Sequence, residues 1–389
     1  MHRPFELVGD PQRAPLCGPR RGRFHTPHGS FETPCFAPCA TVGALKGLLP
    51  EQARAAGVEL ILGNTYHLAL RPGAERIASA GGLHRFMDWQ GPILTDSGGY
   101  QVFSLAGKRR VNDDGVHFAG SDAGAALDLT PREALRIQAL LGSDIAMVLD
   151  ECPPADASPF ALADACRRTL LWAGRARDIH EERGGLSSGQ ALFGIVQGGS
   201  DKALRASVAD ALVALDFDGY AVGGVSVGET KEEMDIAIEA STPRLPQDRI
   251  RYLMGVGEPD DLFEGVLRGI DMFDCVTPTR HGRNNRVYVR SGIYNMRNSA
   301  FSDDFTPIDE GCGCLCCRRY TRAYVRHLAL AREMNAAILQ SLHNLHFLEE
   351  LMASLRARIE AGADEASLRA WFADEYPGWQ QRPRADRPA

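Results

Sequence analysis

Eight short apolar runs, each followed by a longer stretch, set the tightest limit on how this chain folds. The runs fall at residues 35–38, 58–62, 92–95, 145–149, 191–196, 219–222, 251–254 and 272–276. Most are apolar at consecutive positions, so both faces of each strand must be covered, as in a parallel sheet flanked by helices. Between them, residues 130–141, 161–182, 202–215, 232–239 and 259–269 are compatible with helix, and Thr130 followed by Pro131 is a helix start. Eight strand-then-helix units predict an α/β fold, a (β/α)8 TIM barrel. A doubly wound open sheet satisfies the same strand count.

Nearly every run ends in a polar group or a glycine: Asn64, Asp96, Asp150, Gln197, Gly223-Gly224, Gly255 and Asp274. Each alone reads as a turn or as the cap of the next helix. In a barrel, however, these ends converge on one mouth, where active sites are built. Three carboxylates and two carboxamides at successive ends exceed what turns require. Two acids across a glycosidic bond divide attack and proton transfer. A third, with Gln197 and the backbone at Gly223-Gly224, has the donors and acceptors to read a purine.

The chain has 389 residues and a net charge of −7, so any nucleic-acid binding must come from a local patch. Residues 275–300 supply one, with Arg280, Arg283, Arg286, Arg290 and Arg297 and no acid, and Arg318, Arg319, Arg322 and Arg326 follow. Interleaved Asn284, Asn285, Tyr288 and Tyr294 suit phosphate contact and stacking. The competing reading is a solvated face paired with acids elsewhere. With no signal peptide at the start and no run of eighteen apolar residues, a cytoplasmic location is expected.

In a reducing compartment, Cys312-x-Cys314-x2-Cys317 points to a metal, because Gly311 and Gly313 let the backbone wrap three thiolates around one ion. The fourth ligand is open among His327, His343, His346 and the adjacent thiol Cys316. Four protein ligands make the ion structural zinc; a [4Fe–4S] cluster is the weaker alternative.

Six segments carry a family resemblance: Leu94-Thr-Asp-Ser-Gly-Gly-Tyr-Gln-Val-Phe103, Asp150-Glu-Cys-Pro153, Phe193-Gly-Ile-Val-Gln-Gly198, Asp218-Gly-Tyr-Ala-Val-Gly-Gly224, Tyr252-Leu-Met-Gly-Val-Gly257 and Asp271-Met-Phe-Asp-Cys-Val-Thr-Pro-Thr-Arg280. With the cysteine motif and Leu342-His-Asn344, the chain from about Phe24 to about Ile359 resembles bacterial tRNA-guanine transglycosylase. The resemblance implies a barrel with a zinc subdomain, a homodimer, and exchange of guanine at the wobble position of tRNAs with a GUN anticodon for a 7-deazaguanine base. It implies Asp274 as nucleophile, forming a covalent RNA–enzyme intermediate, and Asp96 as general acid/base. Asp150, Gln197 and Gly224 would read the base, Tyr100 and Met254 would sandwich it, and the Val225 carbonyl would meet the aminomethyl arm of the precursor. Ser97 and Cys152 complete the substrate-binding set, Arg280, Arg283 and Arg286 would touch RNA, and one zinc per chain would sit on Cys312, Cys314, Cys317 and His343. Ser226 stands where bacterial members commonly have Ala, as in the queuine-using eukaryotic enzymes, while Val227 and Cys152 follow the bacterial pattern and favour the aminomethyl precursor.

The expected domain plan is an N-terminal hairpin cap over residues 1–34, a catalytic barrel over 35–300, a zinc subdomain and closing helices over 301–360, and a disordered tail at 380–389. Three rivals differ in specific features. An archaeal-type transglycosylase normally carries an extra RNA-binding domain, for which the chain ends too soon. A non-catalytic partner subunit should have lost Asp274 or Asp96, and a barrel glycosidase has no use for the arginines.

Overall fold

The computed structural model describes residues 3–9, 16–99, 109–119 and 126–380. Eight strands close into a barrel: β1 (Cys35–Ala40), β2 (Ile61–Gly63), β3 (Ile93–Thr95), β4 (Ile145–Met147), β5 (Ala191–Val196), β6 (Gly219–Val222), β7 (Ile250–Leu253) and β8 (Met272–Cys275). All pair in parallel with their chain neighbours, and β8 returns to β1 with Met272 opposite Cys35 and Asp274 opposite Ala37. The open sheet is thereby excluded. Some strands are shorter than their apolar runs. The run at 58–62 joins the ladder only at Ile61, because Val58 and Leu60 are buried before pairing begins.

The seam between β8 and β1 is fixed from below. Asp271 O accepts from Cys35 N at 2.9 Å, and the Asp271 carboxylate receives Arg20 Nε at 2.8 Å, Arg20 Nη2 at 2.5 Å and Arg251 N at 2.7 Å. Both charged side chains are buried. Arg20 also donates to Gln247 O and Arg249 O, so the desolvated pair has hydrogen bonds on all sides.

Helices on the outside begin on side-chain caps: Thr130 for Pro131–Leu141, Ser158 for Pro159–Glu182, Asp201 for Lys202–Ala214 and Thr230 for Lys231–Ser241. At the N-terminal end, the Gly22–Thr26/Gly29–Thr33 hairpin adds Phe5–Leu7 as a third strand. Phe24 stacks on Phe31 and meets Phe193 of β5 edge-on. The hairpin tip is tied to the barrel where His28 Nδ1 meets Asp144 Oδ1 at 2.7 Å, just before β4.

Several elements went unassigned in the sequence, among them four short helices between residues 50 and 87, the 286–295 hairpin, an antiparallel sheet and a helix after residue 360. A three-stranded antiparallel sheet (Arg109–Asn112, Gly115–Phe118, Leu127–Leu129) lies between β3 and β4. Its strands are too short for an apolar pattern to show, and the Asp114-Gly115 turn was the available signal. Helix Glu365–Glu375, capped by Asp364, lies beyond the expected limit at 360 and stacks Phe372 on Phe263 at 4.0 Å. Of the tail expected to be disordered, residues 381–389 lie outside the described residues. No helix among the described residues is long and apolar enough to cross a membrane.

After β8 come a short helix (Thr277–Arg283), a hairpin (Arg286–Val289/Gly292–Asn295), the cysteine loop and helices Leu315–Arg319 and Arg322–Ala331. Only then does helix Met334–Glu360 lie back along β1, where Arg356 donates to Pro34 O and His346 meets Ala56 O. Its middle grips the arginine segment. Asn344 Oδ1 accepts from Tyr288 N at 2.9 Å, and Nδ2 donates to Pro278 O and Arg286 O at 2.9 and 3.0 Å. Gly282 makes the approach possible, since a Cβ there would lie 2.5 Å from Ser341 N. Asn344→Ala removes three buried hydrogen bonds and strands their partners. It should lower stability by about 2–4 kcal/mol in urea unfolding, and a loss under about 0.5 kcal/mol would show that the helix holds this segment without it.

Candidate functional site

The C-terminal strand ends meet at the barrel mouth as the alternation predicts. Asp274, on β8, is 8% exposed. Its Oδ1 accepts from Tyr252 Oη at 2.5 Å and from Gly255 N at 2.8 Å, both from β7 and the turn after it. Among the described residues, its Oδ2 receives only the weak Cys39 thiol at 3.3 Å. Burial raises the Asp274 pKa, against the Tyr252, Gly255 and Cys39 donors. The two oxygens are therefore unequal: one is held by two strong donors, and the other meets only a weak one among the described residues.

Asp96 follows β3. Its Oδ1 accepts from Thr65 N at 2.8 Å and its Oδ2 from Asn64 Nδ2, which also caps the next helix. Asp96 keeps part of its surface open to the mouth, but burial pushes its pKa to about 7 against the Thr65 N–H, and the Asp274 and Asp150 carboxylates add to the rise. Asp150, after β4, is 4% exposed and accepts from Gln197 Nε2 at 2.7 Å and Ser97 Oγ at 3.2 Å. Burial raises it to about 6. Gly99 must be glycine here, since a Cβ would stand 1.9 Å from Asp150 Oδ1.

Gln197 is buried, and its Oε1 has no hydrogen-bond partner among the described residues. Gly224 takes φ +66°, and a Cβ on it would meet Gln197 Oε1 at 2.6 Å. Val225 and Cys152 are buried, and burial pushes the Cys152 thiol pKa up. Met254 lies just past β7, half-buried. Tyr100 lies outside the described residues. Ser226 Oγ donates to Gly255 O at 2.8 Å, tying the turn after β6 to the one that holds Asp274. Sequence reasoning missed Tyr252 and Cys39 as partners of Asp274, because they reach it from two other strands.

The arginine patch divides. Arg280, Arg283 and Arg286 form no ion pair among the described residues, and Arg280 and Arg286 are exposed. Arg290 is bound to Asp309, Glu350 and Glu375, and Arg322 to Asp304, so these two are internal ties, as the competing reading had it.

Cys312, Cys314, Cys317 and His343 converge with all ligand atoms within 4.8 Å of one another. His343 Nδ1 lies 3.6, 3.5 and 3.3 Å from the three sulfurs. A tetrahedral ion with bonds of about 2.3 Å to sulfur and about 2.0 Å to nitrogen sets that separation at about 3.6 Å. His343 Nε2 faces Tyr288 O at 2.6 Å and so carries the ring proton, leaving Nδ1 as the ligand atom. The donor set suits a metal ion such as zinc. Cys316 and His327 are not in it, and His346 turns to Ala56 O. A second cluster, His28, His84 and Asp144, is hydrogen-bonded: His84 Nε2 lies 3.1 Å from both Gly91 O and Asp144 Oδ2, so it is a donor there and no ligand.

A model of the queuine tRNA-ribosyltransferase family matches residues 16–377. Among curated relatives, the queuine tRNA-ribosyltransferase of Stenotrophomonas maltophilia (strain R551-3) is 51% identical over 355 residues, 91% of this chain and 94% of that protein. Those of Xylella fastidiosa are similar: in strain M23, 51% over 354 residues (91% and 93%), and in strain M12, 52% over 344 (88% and 89%).

The raised carboxylates link stability to pH. The folded chain binds these protons more tightly than an unfolded chain, whose Asp pKa is about 3.9. The stability they contribute is therefore whole below about pH 4 and is lost as pH rises to about 7. Asp150→Asn should flatten this slope and stabilise the protein at pH 8 by about 2 kcal/mol in urea unfolding. The same pH slope in variant and wild type would contradict it.

Proposed function

The chain belongs to the queuine tRNA-ribosyltransferase family and is a tRNA-guanine transglycosylase, a pentosyltransferase; from that premise we propose the following reaction. It exchanges guanine at the wobble position of GUN-anticodon tRNAs for 7-aminomethyl-7-deazaguanine by two displacements. The observation that carries this reading is the inequality of the Asp274 oxygens. Oδ2, with only a thiol donor among the described residues, attacks C1′ of the ribose, while Tyr252 and Gly255 hold Oδ1 and fix the approach. The C1′–N9 bond breaks, and Asp96, partly protonated near neutral pH, gives its proton to the departing guanine. In the second step Asp96 takes the ring N–H proton of the incoming base, whose nitrogen attacks C1′ and expels the Asp274 carboxylate.

Asp150 accepts the ring N–H and exocyclic amine of the base, replacing the Gln197 donor it now holds. The freed Gln197 amide and Gly224 N–H then donate to the base carbonyl. Tyr100 and Met254 enclose the base, Ser97 orients Asp150, Cys152 lines the pocket, and the Val225 carbonyl receives the aminomethyl group. Val227 and Cys152, which follow the bacterial pattern, favour the aminomethyl precursor over queuine itself, and Ser226 ties its turn to Gly255 O. Arg280, Arg283 and Arg286, free of acids among the described residues, contact the anticodon-loop phosphates. The assembly is a homodimer in the cytoplasm, as the resemblance implies.

One zinc per chain on Cys312, Cys314, Cys317 and His343 plays a structural part, supplying local folding energy and no substrate contact. It joins the cysteine loop to the hairpin behind the arginines, through His343 and Tyr288 O.

Two measurements test this reading. Radiolabelled guanine should enter a bulk tRNA pool, and denaturing gels should show an RNA–protein adduct; Asp274→Asn should lose both by several orders of magnitude. An undiminished adduct would mean another residue attacks. Elemental analysis should find zinc lost from His343→Ala, with stability and tRNA binding falling together, and kept in His346→Ala. A zinc-replete His343→Ala protein would overturn the ligand set.

A further inference from the structure

Arg205 lies in the first turn of helix Lys202–Ala214 and is fully buried at 0% exposure. It forms no ion pair among the described residues. Its guanidinium is spent on three backbone carbonyls: Nε to Gly199 O at 2.5 Å, Nη1 to Val196 O at 3.3 Å and Nη2 to Gly223 O at 2.9 Å. Burial pulls its pKa down to about 10, which leaves it a cation at neutral pH. A desolvated charge whose direct hydrogen bonds go to neutral dipoles is costly, although the Glu229 carboxylate attracts it.

The three carbonyls belong to the two turns that read the base. Val196 and Gly199 bracket Gln197, and the Gly223 carbonyl shares its peptide unit with the Gly224 N–H. The backbone is built around the side chain: a Cβ on Gly198 would lie 2.7 Å from Arg205 Cγ. A cation on an amide oxygen draws electron density from the N–H across the same peptide and strengthens it as a donor.

We propose that Arg205 is a positioning residue for base recognition, aligning the turns after β5 and β6 and polarising the Gly223–Gly224 peptide so that Gly224 N–H donates strongly to the base carbonyl. It acts through the peptide and does not touch the base. This inference rests on the base-exchange reading above and names a further determinant of the same site.

The test compares two ligands by calorimetry on Arg205→Met and Arg205→Lys. Guanine carries the carbonyl; 6-thioguanine keeps the donors to Asp150 but offers a weakly accepting thione. Arg205→Met should weaken guanine binding about tenfold, the worth of one good charge-assisted hydrogen bond, and 6-thioguanine much less. Arg205→Lys should recover part of the guanine affinity, and the tRNA dissociation constant should stay the same in both. Equal losses for the two bases, no loss for guanine, no recovery with Lys, or collapse of both variants would assign Arg205 to the scaffold and overturn the proposal. A wild-type protein that binds neither base would instead sink the base-exchange reading and leave the two failures distinct.

Discussion

The buried Arg20–Asp271 pair sets the position of everything at the mouth. Asp271 begins β8 by accepting the Cys35 amide, and its carboxylate is locked between a guanidinium and the Arg251 N–H. Three residues on, the chain presents Asp274. Side chains alternate along a strand, so a slip of one residue at this seam would turn Asp274 toward the helices and offer Phe273 or Cys275 to the mouth instead. Removing either partner of such a pair leaves an uncompensated charge in the interior, which makes the seam intolerant of alternatives whatever net stability the pair contributes.

Chemistry and stability pull against each other at the opposite end. Three carboxylates share one mouth, two of them with pKa values near 6 and 7, and the fold tolerates them because backbone N–H groups, a phenol, a hydroxyl and a carboxamide are aimed at their oxygens. Glycines make room. Gly99, Gly223 and Gly224 each stand where a methyl group would strike Asp150 or Gln197. The site is thus dense in polar atoms and short of side-chain bulk, an arrangement that spends stability on preorganisation.

Much of this was legible in the residues. The barrel could be read because parallel strands buried on both faces leave continuous apolar runs, and the acids and amides closing Asp96, Asp150, Gln197 and Asp274 marked the mouth. The candidate metal ligands stood out through four cysteines in six residues, although the choice among histidines came from resemblance and not spacing. What stayed hidden is non-local or ambiguous in type. Tyr252 and Cys39 look like ordinary strand residues until the barrel closes. Arg290 and Arg322 are indistinguishable in sequence from Arg280, yet acids 18 to 85 residues away neutralise them. Arg205 looks like any polar residue on an amphipathic helix, and only the packed backbone reveals a buried cation. The antiparallel insert was missed because three- and four-residue strands carry too few positions for a period to show.

The order of elements after β8 has a consequence for how the chain is made. The strand bearing Asp274 is complete by residue 275, but the helix that covers it and β1 begins only at Met334, with the hairpin and cysteine loop between. Arg356 reaches back to Pro34, and Gly57 packs on Glu349, so the first barrel strand is sealed by nearly the last helix. During vectorial synthesis, β1 and β8 must therefore wait with an uncovered flank until residues 334–360 emerge, a window in which such surfaces invite association. A ribosome that stops before residue 334 releases a molecule holding every acid of the mouth but not the helix that covers β1, so competence waits for that one element.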